Sequence, residues 1–385
     1  MADKKPKNIL MVNGVLHGHF TGTVEIVREL VSLGHNVTCL VSDEFKDRIK
    51  DVGAKIVAYS IDRSKFNIPP TAPPFAVHAF IFAGCLDAIL TILLKEETKY
   101  DYYIFDSFFE IQELNKLLKI PIEKFVLICT SLILTDEDPT DISPQRGAVL
   151  KPLNMKYNLN LHDYVPVHYV PNKFKKLILT SKFFHLRSDT LDETCFFIGP
   201  YIEKRKIDEN FNFKKDKNKK LILISLGTIF NKECDFYSTC IEAFKNSEEY
   251  QVVISVGTKV DIKQYGEIPK NISIFNYIPQ TQLLPEVDIF ITHGGLNSTQ
   301  EGLLAGKPLI VVPQRYDQFD NGRRIKELEA GILLDKNKIN VDVLKNAVNE
   351  VASNMEKYKK GVAKIVESFN EDRSNRKSIY EKIFV

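Results

Sequence analysis

The feature that most constrains the fold of this chain is an alternation of short apolar runs with helical stretches, which occurs twice. The runs lie at 8–12, 36–41, 55–59, 102–105 and 125–129 in the first series, and at 221–227, 251–257, 272–278, 288–293 and 308–313 in the second. Apolar strands separated by helices are typical of a parallel sheet covered by helices on both faces. The sequence therefore predicts an α/β protein with two such sheets.

A charged stretch separates the two series. Residues 203–220, EKRKIDENFNFKKDKNKK, have the composition of a linker between domains. The length of 385 residues also exceeds what one core usually supports. We predict an acceptor-binding domain at 1–202, the linker at 203–220, a second domain at 221–365, and a C-terminal helix at 366–385 that packs back on the first domain. Ligands of such sheets bind at the carboxyl ends of the strands, which predicts a site in a cleft between the two domains.

The composition excludes some classes of partner. The chain has 52 basic and 50 acidic residues, whereas nucleic-acid binding normally requires a more basic surface. Its six cysteines show no CxxC pair and lie mostly in apolar runs, which predicts a reducing compartment, the cytoplasm, and no metal site. The sequence indicates no particular oligomeric state.

Two segments bear on membrane targeting. The N-terminus lacks the apolar stretch of a signal peptide. The segment 75–94 is long enough to span a bilayer, but His78 and Asp87 interrupt it and Pro73-Pro74 precede it. We interpret it as a buried or pocket-lining helix.

A glycine turn before a helix is the first indication of a ligand. In THGGLNSTQEGLLAG (292–306), the two glycines follow a strand, and the backbone N–H groups at the start of the next helix suit a phosphate. Asn297 and Ser298 add short side-chain donors. Glu301 lies one turn further on the same face, where a carboxylate could accept hydrogen bonds from ribose hydroxyls. The stretch fits a nucleoside diphosphate; the alternative is a glycine turn in which Asn297 and Ser298 cap the helix.

The spacing of the wider segment is more specific. YIPQ (277–280), THGGLNS (292–298), Glu301, GKP (306–308), Pro313 and DQ (317–318) together resemble the donor-binding signature of family 1 glycosyltransferases, the UDP-glycosyltransferases. The interval between Gln280 and His293 is closest to the bacterial macrolide-glycosyltransferase branch. The resemblance implies a GT-B fold, in which two Rossmann-like domains face each other across a cleft, with the acceptor in the first and the nucleotide sugar in the second.

The resemblance also implies roles for individual residues in the second domain. It implies donor contacts at Ser225, Gly227, Thr228, Tyr277, Ile278, Gln280, His293, Gly295, Asn297, Ser298, Glu301, Asp317 and Gln318. Tyr277 replaces a tryptophan that often stacks on the base, and Gln280 would meet the uracil edge or ribose. His293, Gly295, Asn297 and Ser298 would contact the diphosphate, Glu301 the ribose, and Asp317 with Gln318 the sugar hydroxyls. For Ser225, Gly227 and Thr228 the alternative is a simple strand-to-loop turn.

The first domain would supply the catalytic base. After the strand NILMV, the sequence NGVLHGHFTGT is interpreted as a loop, and His19 matches the family's catalytic histidine. Gly22 stands where the family often has a proline, which predicts a less rigid helix start. Asp106 ends its strand at the position of the acidic partner, which would fix the tautomer of His19. The alternative for Asp106 is a cap of a helix beginning near Phe108. Structural roles are expected for His35, His78, His162, His168 and His185.

These residues predict an inverting glycosyltransferase that moves a sugar, with glucose expected, from a UDP-sugar to a small-molecule hydroxyl and forms a β-glycoside. No cofactor or metal is expected, because the helix terminus and His293 would stabilise the leaving diphosphate. Segments 64–94 and 155–171 predict a hydrophobic or aromatic acceptor. Two alternatives are a nucleotide-sugar epimerase of the same architecture and a non-catalytic UDP-sugar-binding subunit.

Overall fold

The structure is a computed structural model that describes residues 5–61, 74–107, 109, 111–132, 144–161, 173–202, 207–209, 211–227, 234–258, 260–315 and 317–385. Packing divides the chain into two compact units. The first unit comprises Met1–Thr180, Arg187–Glu203 and Asp372–Val385, and the second comprises Ser181–Leu186 and Lys204–Glu371. The predicted limits of the acceptor domain, linker, donor domain and C-terminal helix stay a prediction.

The first unit is built on a parallel sheet. Its strands are β1 Asn8–Val12, β2 Asn36–Ser42, β3 Lys55–Tyr59, β4 Tyr102–Asp106, β5 Phe125–Cys129, β6 Lys175–Ile178 and β7 Cys195–Phe197, in the order β3-β2-β1-β4-β5-β6-β7. The helices of this unit that precede Ser181 in the chain are α1 His17–Ser32, α2 Lys46–Ile49, α3 Pro74–Leu93, α4 Ile111–Leu118 and α5 Pro144–Tyr157. Strand β1 pairs with β2 on one side and β4 on the other, so the winding of the sheet reverses between β1 and β4.

The second unit repeats this arrangement. Its strands are β8 Lys220–Ser225, β9 Tyr250–Ser255, β10 Ile272–Phe275, β11 Ile289–Thr292, β12 Leu309–Val311 and β13 Gly331–Leu333, in the order β10-β9-β8-β11-β12-β13. Its helices are α6 Cys234–Phe244, α7 Gln280–Leu283, α8 Leu296–Leu304, α9 Gln318–Glu327, α10 Val341–Ser353 and α11 Met355–Ser374, and α12 Arg376–Ile383 follows in the first unit. The reversal of winding here lies between β8 and β11.

Continuous apolar runs explain the strands that the sequence predicts well. The predicted runs 8–12, 55–59 and 125–129 coincide with β1, β3 and β5. The pattern does not predict β6, β7 or β13. Strand β6 begins with two lysines, and β7 and β13 have only three residues each, so none of them forms a distinctive apolar run.

Helix α1 corrects one prediction. The sequence predicts a loop at NGVLHGHFTGT, but α1 begins at His17 and includes His19 and Gly22. Gly22 is buried inside the helix, and a Cβ atom placed there would collide with the side chain of Leu179. The glycine therefore allows α1 to pack closely on the segment after β6, instead of loosening the start of the helix.

The apolar segment 75–94 forms α3, as predicted for a buried helix. Cys85, Leu86, Ile89 and Leu90 are fully buried in the core of the first unit. Across the part of the chain that the structure describes, no helix is both long and apolar enough to cross a membrane.

Candidate active site

A histidine and an aspartate meet where the first sheet reverses its winding. His19 lies in the first turn of α1, which follows β1, and Asp106 is the last residue of the neighbouring strand β4. The His19 Nδ1 atom lies 3.0 Å from Asp106 Oδ1 and 2.9 Å from Oδ2. The side chain of Asp106 is only 1% exposed, whereas that of His19 is 20% exposed. Reversal points of this kind are where open α/β sheets bind ligands.

This pairing defines the chemistry of the imidazole. With its Nδ1–H donated to a carboxylate, neutral His19 carries its lone pair on Nε2, which can accept a proton. The carboxylate also stabilises the imidazolium that results. The carboxylate of Asp106 therefore binds His19, and α4, the next helix that the structure describes, begins at Ile111.

Residues that the sequence did not single out support this pair. Asn13, the first residue after β1, is buried, and its Nδ2 donates to Thr23 Oγ1 at 2.8 Å. Thr23 Oγ1 in turn donates to the His19 carbonyl at 3.4 Å. Tyr59 donates to the carbonyl of Asn13 at 2.7 Å. A polar residue at the end of the strand that leads to His19 is the signal that could have identified Asn13.

The glycine turn of the second unit lies beside the reversal of winding in its own sheet. His293 follows β11, which pairs with β8 in a register that aligns Thr292 with Ser225. Gly294 has φ +85°, and a Cβ atom there would lie 2.6 Å from Val311 Cγ1. The N-cap of α8 is Gly295, and no side chain caps it. Asn297 and Ser298 therefore do not cap the helix but lie in its first turn, contrary to the capping alternative.

His293 is enclosed by two backbone segments. A Cβ atom placed on Gly295 would lie 2.5 Å from His293 Nε2, and one placed on Gly227 would lie 2.7 Å from its Cε1. Burial lowers the pKa of His293 to about 4. The imidazole is consequently neutral near pH 7 and can donate one N–H without carrying a charge.

The loop after β8 contributes the other part of this site. Ser225 is the buried last residue of β8, and the Gly227 N–H donates to its hydroxyl at 3.3 Å. Gly227 has φ +77°, which favours glycine. The third predicted residue of this loop, Thr228, lies outside the described residues.

One predicted nucleotide-binding side chain, Gln280, contacts two others. Gln280 begins α7, and its Nε2 donates to Glu301 Oε2 at 2.6 Å and to Ser298 Oγ at 3.4 Å. Nearby in sequence, Tyr277 is 53% exposed, which leaves an aromatic face available for stacking. The side chain of Ile278 is buried, so only its backbone could reach a ligand.

Asp317 and Gln318, which are expected to contact the sugar hydroxyls, lie at the start of α9. Gln318 is 5% exposed, and its Oε1 accepts hydrogen bonds from the backbone N–H groups of Gln314 at 2.8 Å and Arg315 at 3.1 Å. This fixes the preceding loop and makes Nε2 the end of the amide that can donate to a ligand. Asp317 is the N-cap of α9, and Asn321, which the sequence did not single out, contacts its carboxylate.

No cluster of three or more His, Cys, Asp or Glu side chains with the arrangement of a metal site occurs within the described ranges. The absence of a metal requirement stays a prediction, for which a direct test is given below.

Comparisons with known proteins agree with this arrangement. Residues 247–375 match the family model described as the erythromycin biosynthesis protein CIII-like C-terminal domain. The chain is 33% identical over 368 residues to the NDP-glycosyltransferase YjiC of Bacillus licheniformis, covering 89% of each chain. It is 30% identical over 382 residues to the uncharacterized UDP-glucosyltransferase YdhE of Bacillus subtilis (strain 168), covering 95% of each.

Solved structures agree on the fold. The glycosyltransferase of kitacinnamycin superposes with a TM-score of 0.77 at 24% identity, covering 98% of this chain and 99% of that one, which identifies the fold as GT-B. The comparisons give no support to the epimerase alternative. The chain is a glycosyltransferase that belongs to family 1, the UDP-glycosyltransferases, in the branch of the bacterial macrolide glycosyltransferases.

Proposed function

We propose that the protein transfers glucose from UDP-glucose to a hydroxyl group of a hydrophobic or aromatic small molecule, with inversion and without a metal, in the cytoplasm. The observation that carries this proposal is the hydrogen bond between His19 Nδ1 and the buried carboxylate of Asp106, at 2.9 Å. It supports a general base, which a transferase needs and a protein that only binds nucleotide sugars does not.

In the proposed reaction, His19 Nε2 takes the proton of the acceptor hydroxyl. The oxygen forms a bond to the anomeric carbon while the bond from that carbon to the diphosphate oxygen breaks, and UDP departs. Attack opposite the leaving group inverts the anomeric centre, so an α-linked donor gives a β-glycoside. The carboxylate of Asp106 stabilises the imidazolium of His19.

The glycine turn would stabilise the leaving group. Negative charge that develops on the diphosphate would be met by the N-terminus of α8, by the N–H of neutral His293 and by the amide groups around Gly295. The partial positive charge of a helix N-terminus and preorganised donors can stabilise this charge without a divalent cation.

Ribose and sugar would be recognised by the remaining side chains. Because Gln280 already occupies one oxygen of Glu301, it holds the carboxylate in place, and the ribose hydroxyls would bind there. Asp317 and the Nε2 group of Gln318 would contact the hexose. A donor lacking the 2′-hydroxyl would leave one carboxylate lone pair unpaired, so UDP-glucose should be used about one to two decades better than dTDP-glucose.

The acceptor class rests on segments 64–94 and 155–171, of which residues 64–73 and 162–171 lie outside the described residues. Hydrophobic and phenolic acceptors are therefore to be identified by experiment. A panel of phenols, flavonoids and macrolides would be incubated with UDP-glucose and the enzyme, and products detected by mass spectrometry.

The decisive test measures UDP release with and without acceptor, with and without EDTA, and assigns the anomeric configuration of the product by NMR. Acceptor-dependent release, a β-linked product and activity in EDTA are expected. Tight binding of UDP-glucose without UDP release for any acceptor would instead identify a non-catalytic binding subunit. Loss of activity in EDTA that added Mg²⁺ restores would contradict the metal-free mechanism.

A further inference from the structure

A buried asparagine in α9 connects two parts of the donor site. Asn321 is fully buried, at 0% exposure, and lies one turn after Asp317. Its backbone N–H bonds to the Asp317 carbonyl at 2.9 Å, as expected within the first turn of a helix. Buried amide side chains normally use their hydrogen-bonding groups, so their contacts indicate what they do.

Both observed contacts of its side chain are donated by Nδ2. The amide nitrogen donates to the carbonyl of Gly294 at 2.8 Å and to Asp317 Oδ2 at 3.3 Å. One group therefore joins the carboxylate proposed to read the sugar to the middle residue of the His293–Gly295 turn, which is proposed to hold the diphosphate. An amide NH₂ is suited to this because it has two hydrogens and no charge.

The other end of the amide is not used in this way. Asn321 Oδ1 is buried and has no hydrogen-bond partner among the residues that the structure describes. A buried acceptor without a partner is unfavourable. The observed contacts of this amide are thus the two that Nδ2 donates, and an aspartate, which is of the same size, could not make them.

Close packing makes the connection rigid. A Cβ atom placed on Gly294 would lie 3.1 Å from the Gln318 carbonyl oxygen, so the turn lies directly against the start of α9. A Cβ atom on Gly322, the next residue of α9, would lie 2.6 Å from Leu333 Cδ1 and 3.1 Å from Val311 Cγ1. Helix α9 is therefore closely packed against the turn and β13, and the amide of Asn321 contacts the carboxylate of Asp317 within this packing.

We propose that Asn321 is a positioning residue that couples sugar recognition by Asp317 to the diphosphate turn. This inference rests on the proposed donor site. It predicts that loss of the Asn321 amide weakens the binding of UDP, because Gly294 is no longer held. It also predicts that the glucose moiety then adds less to the affinity of UDP-glucose, because Asp317 is no longer held. Loss of Asp317 should change only the second.

Equilibrium binding of UDP and UDP-glucose, measured by calorimetry on the full chain, tests this coupling. In Asn321→Ala, the Kd for UDP should rise about threefold to tenfold, and the ratio of the Kd for UDP-glucose to that for UDP should rise about tenfold. Asp317→Ala should raise the ratio by a similar factor and leave the Kd for UDP unchanged. In the double variant the ratio should be no higher than in Asp317→Ala.

Two further variants separate positioning from simple stabilisation. Asn271 provides a matched control, because its Nδ2 also donates two hydrogen bonds within the second unit, to the backbone carbonyls of Phe244 at 2.8 Å and Tyr250 at 3.1 Å. Asn271→Ala should lower the melting temperature without changing either Kd. If Asn321→Ala does not fold, Asn321→Ser, which keeps one donor, should show the same changes at smaller size.

The inference is overturned if an Asn321 variant loses thermal stability but keeps the ratio of the two Kd values, or if the two substitutions are additive in that ratio. These readouts do not depend on turnover. If the unsubstituted protein binds UDP and UDP-glucose but releases no UDP, the proposed transfer is contradicted and the coupling can still be tested. If it binds neither nucleotide, the proposed transfer and the coupling are both overturned.

Discussion

The two histidines expected to take part in the reaction, one in each unit, both follow a strand at the reversal of winding in their own sheet, but their surroundings differ. His19 follows β1 of the first unit, is partly exposed and is paired with a carboxylate. His293 follows a central strand of the second unit, is enclosed by glycine backbone, and has its pKa lowered to about 4 by burial. The carboxylate of Asp106 can stabilise a protonated His19, whereas burial disfavours the protonated form of His293. One imidazole is suited to moving a proton and the other to donating a fixed hydrogen bond.

The largest effect is expected at His19. His19→Ala should reduce transfer by about 10²–10⁴-fold, the range of general-base catalysis, and Asp106→Asn by about 10²-fold. The Kd for UDP should not change, because the base would contact the acceptor alone. Turnover and UDP binding would be measured together, with His35→Ala, which substitutes the histidine just before β2, as a control. A His19 variant with near-normal turnover would remove the assignment of the base.

The next largest effect is expected at His293 and should differ in kind. His293→Ala removes a donor to the leaving group and should lower kcat about 10²–10³-fold while also weakening UDP binding. His293→Gln keeps an N–H donor and should recover part of the lost kcat and part of the lost affinity for UDP. If the alanine variant binds UDP as well as the parent, the contrast between the two histidines is wrong.

A smaller effect tests whether glycine backbone positions His293. Gly295 has φ −60° and ψ 139°, which any residue can adopt, so a new methyl group at this position conflicts only with the imidazole. Gly295→Ala should weaken UDP binding about tenfold, the equivalent of one hydrogen bond to a charged group. In a His293→Ala background the same substitution should have little further effect. An equal loss in both backgrounds would show that Gly295 acts on the phosphate directly.

The same two regions differ in how far their residues can be predicted from the sequence. The glycine turn and its donors lie between residues 277 and 318, so turn chemistry and spacing within one short segment are enough to indicate a phosphate site. His19 and Asp106 are 87 residues apart, and only the order β2-β1-β4 brings them together. The start of α1 is not predicted correctly because its packing depends on Leu179, which is distant in sequence.

Side-chain connections within the donor site also cannot be predicted from the sequence. The bond between Gln280 and Glu301, the use of Gln318 Oε1 by its own loop, and the contact of Asn321 with Gly294 depend on rotamers and packing. A family signature identifies such residues but does not reveal which atoms are already engaged. For Gln318 this changes the expectation, because Gln318→Glu should preserve the loop and lose only the donor to the sugar.

The smallest effect concerns stability in acid. Burial lowers the pKa of both His293 and His185 from 6.5 to about 4. Below pH 6.5 the unfolded chain takes up protons that the folded chain does not, so the free energy of unfolding should fall as the pH falls from 6.5 to 4, by at most about 1.4 kcal/mol per pH unit for each histidine. Urea unfolding at about pH 7, 5.5 and 4.5 measures this slope. His185→Gln should make the slope shallower whatever it does to the absolute stability, and His293→Gln should do the same. If both variants keep the slope of the parent, His293 is not held neutral by burial, and the distinction drawn between the two imidazoles loses its electrostatic basis.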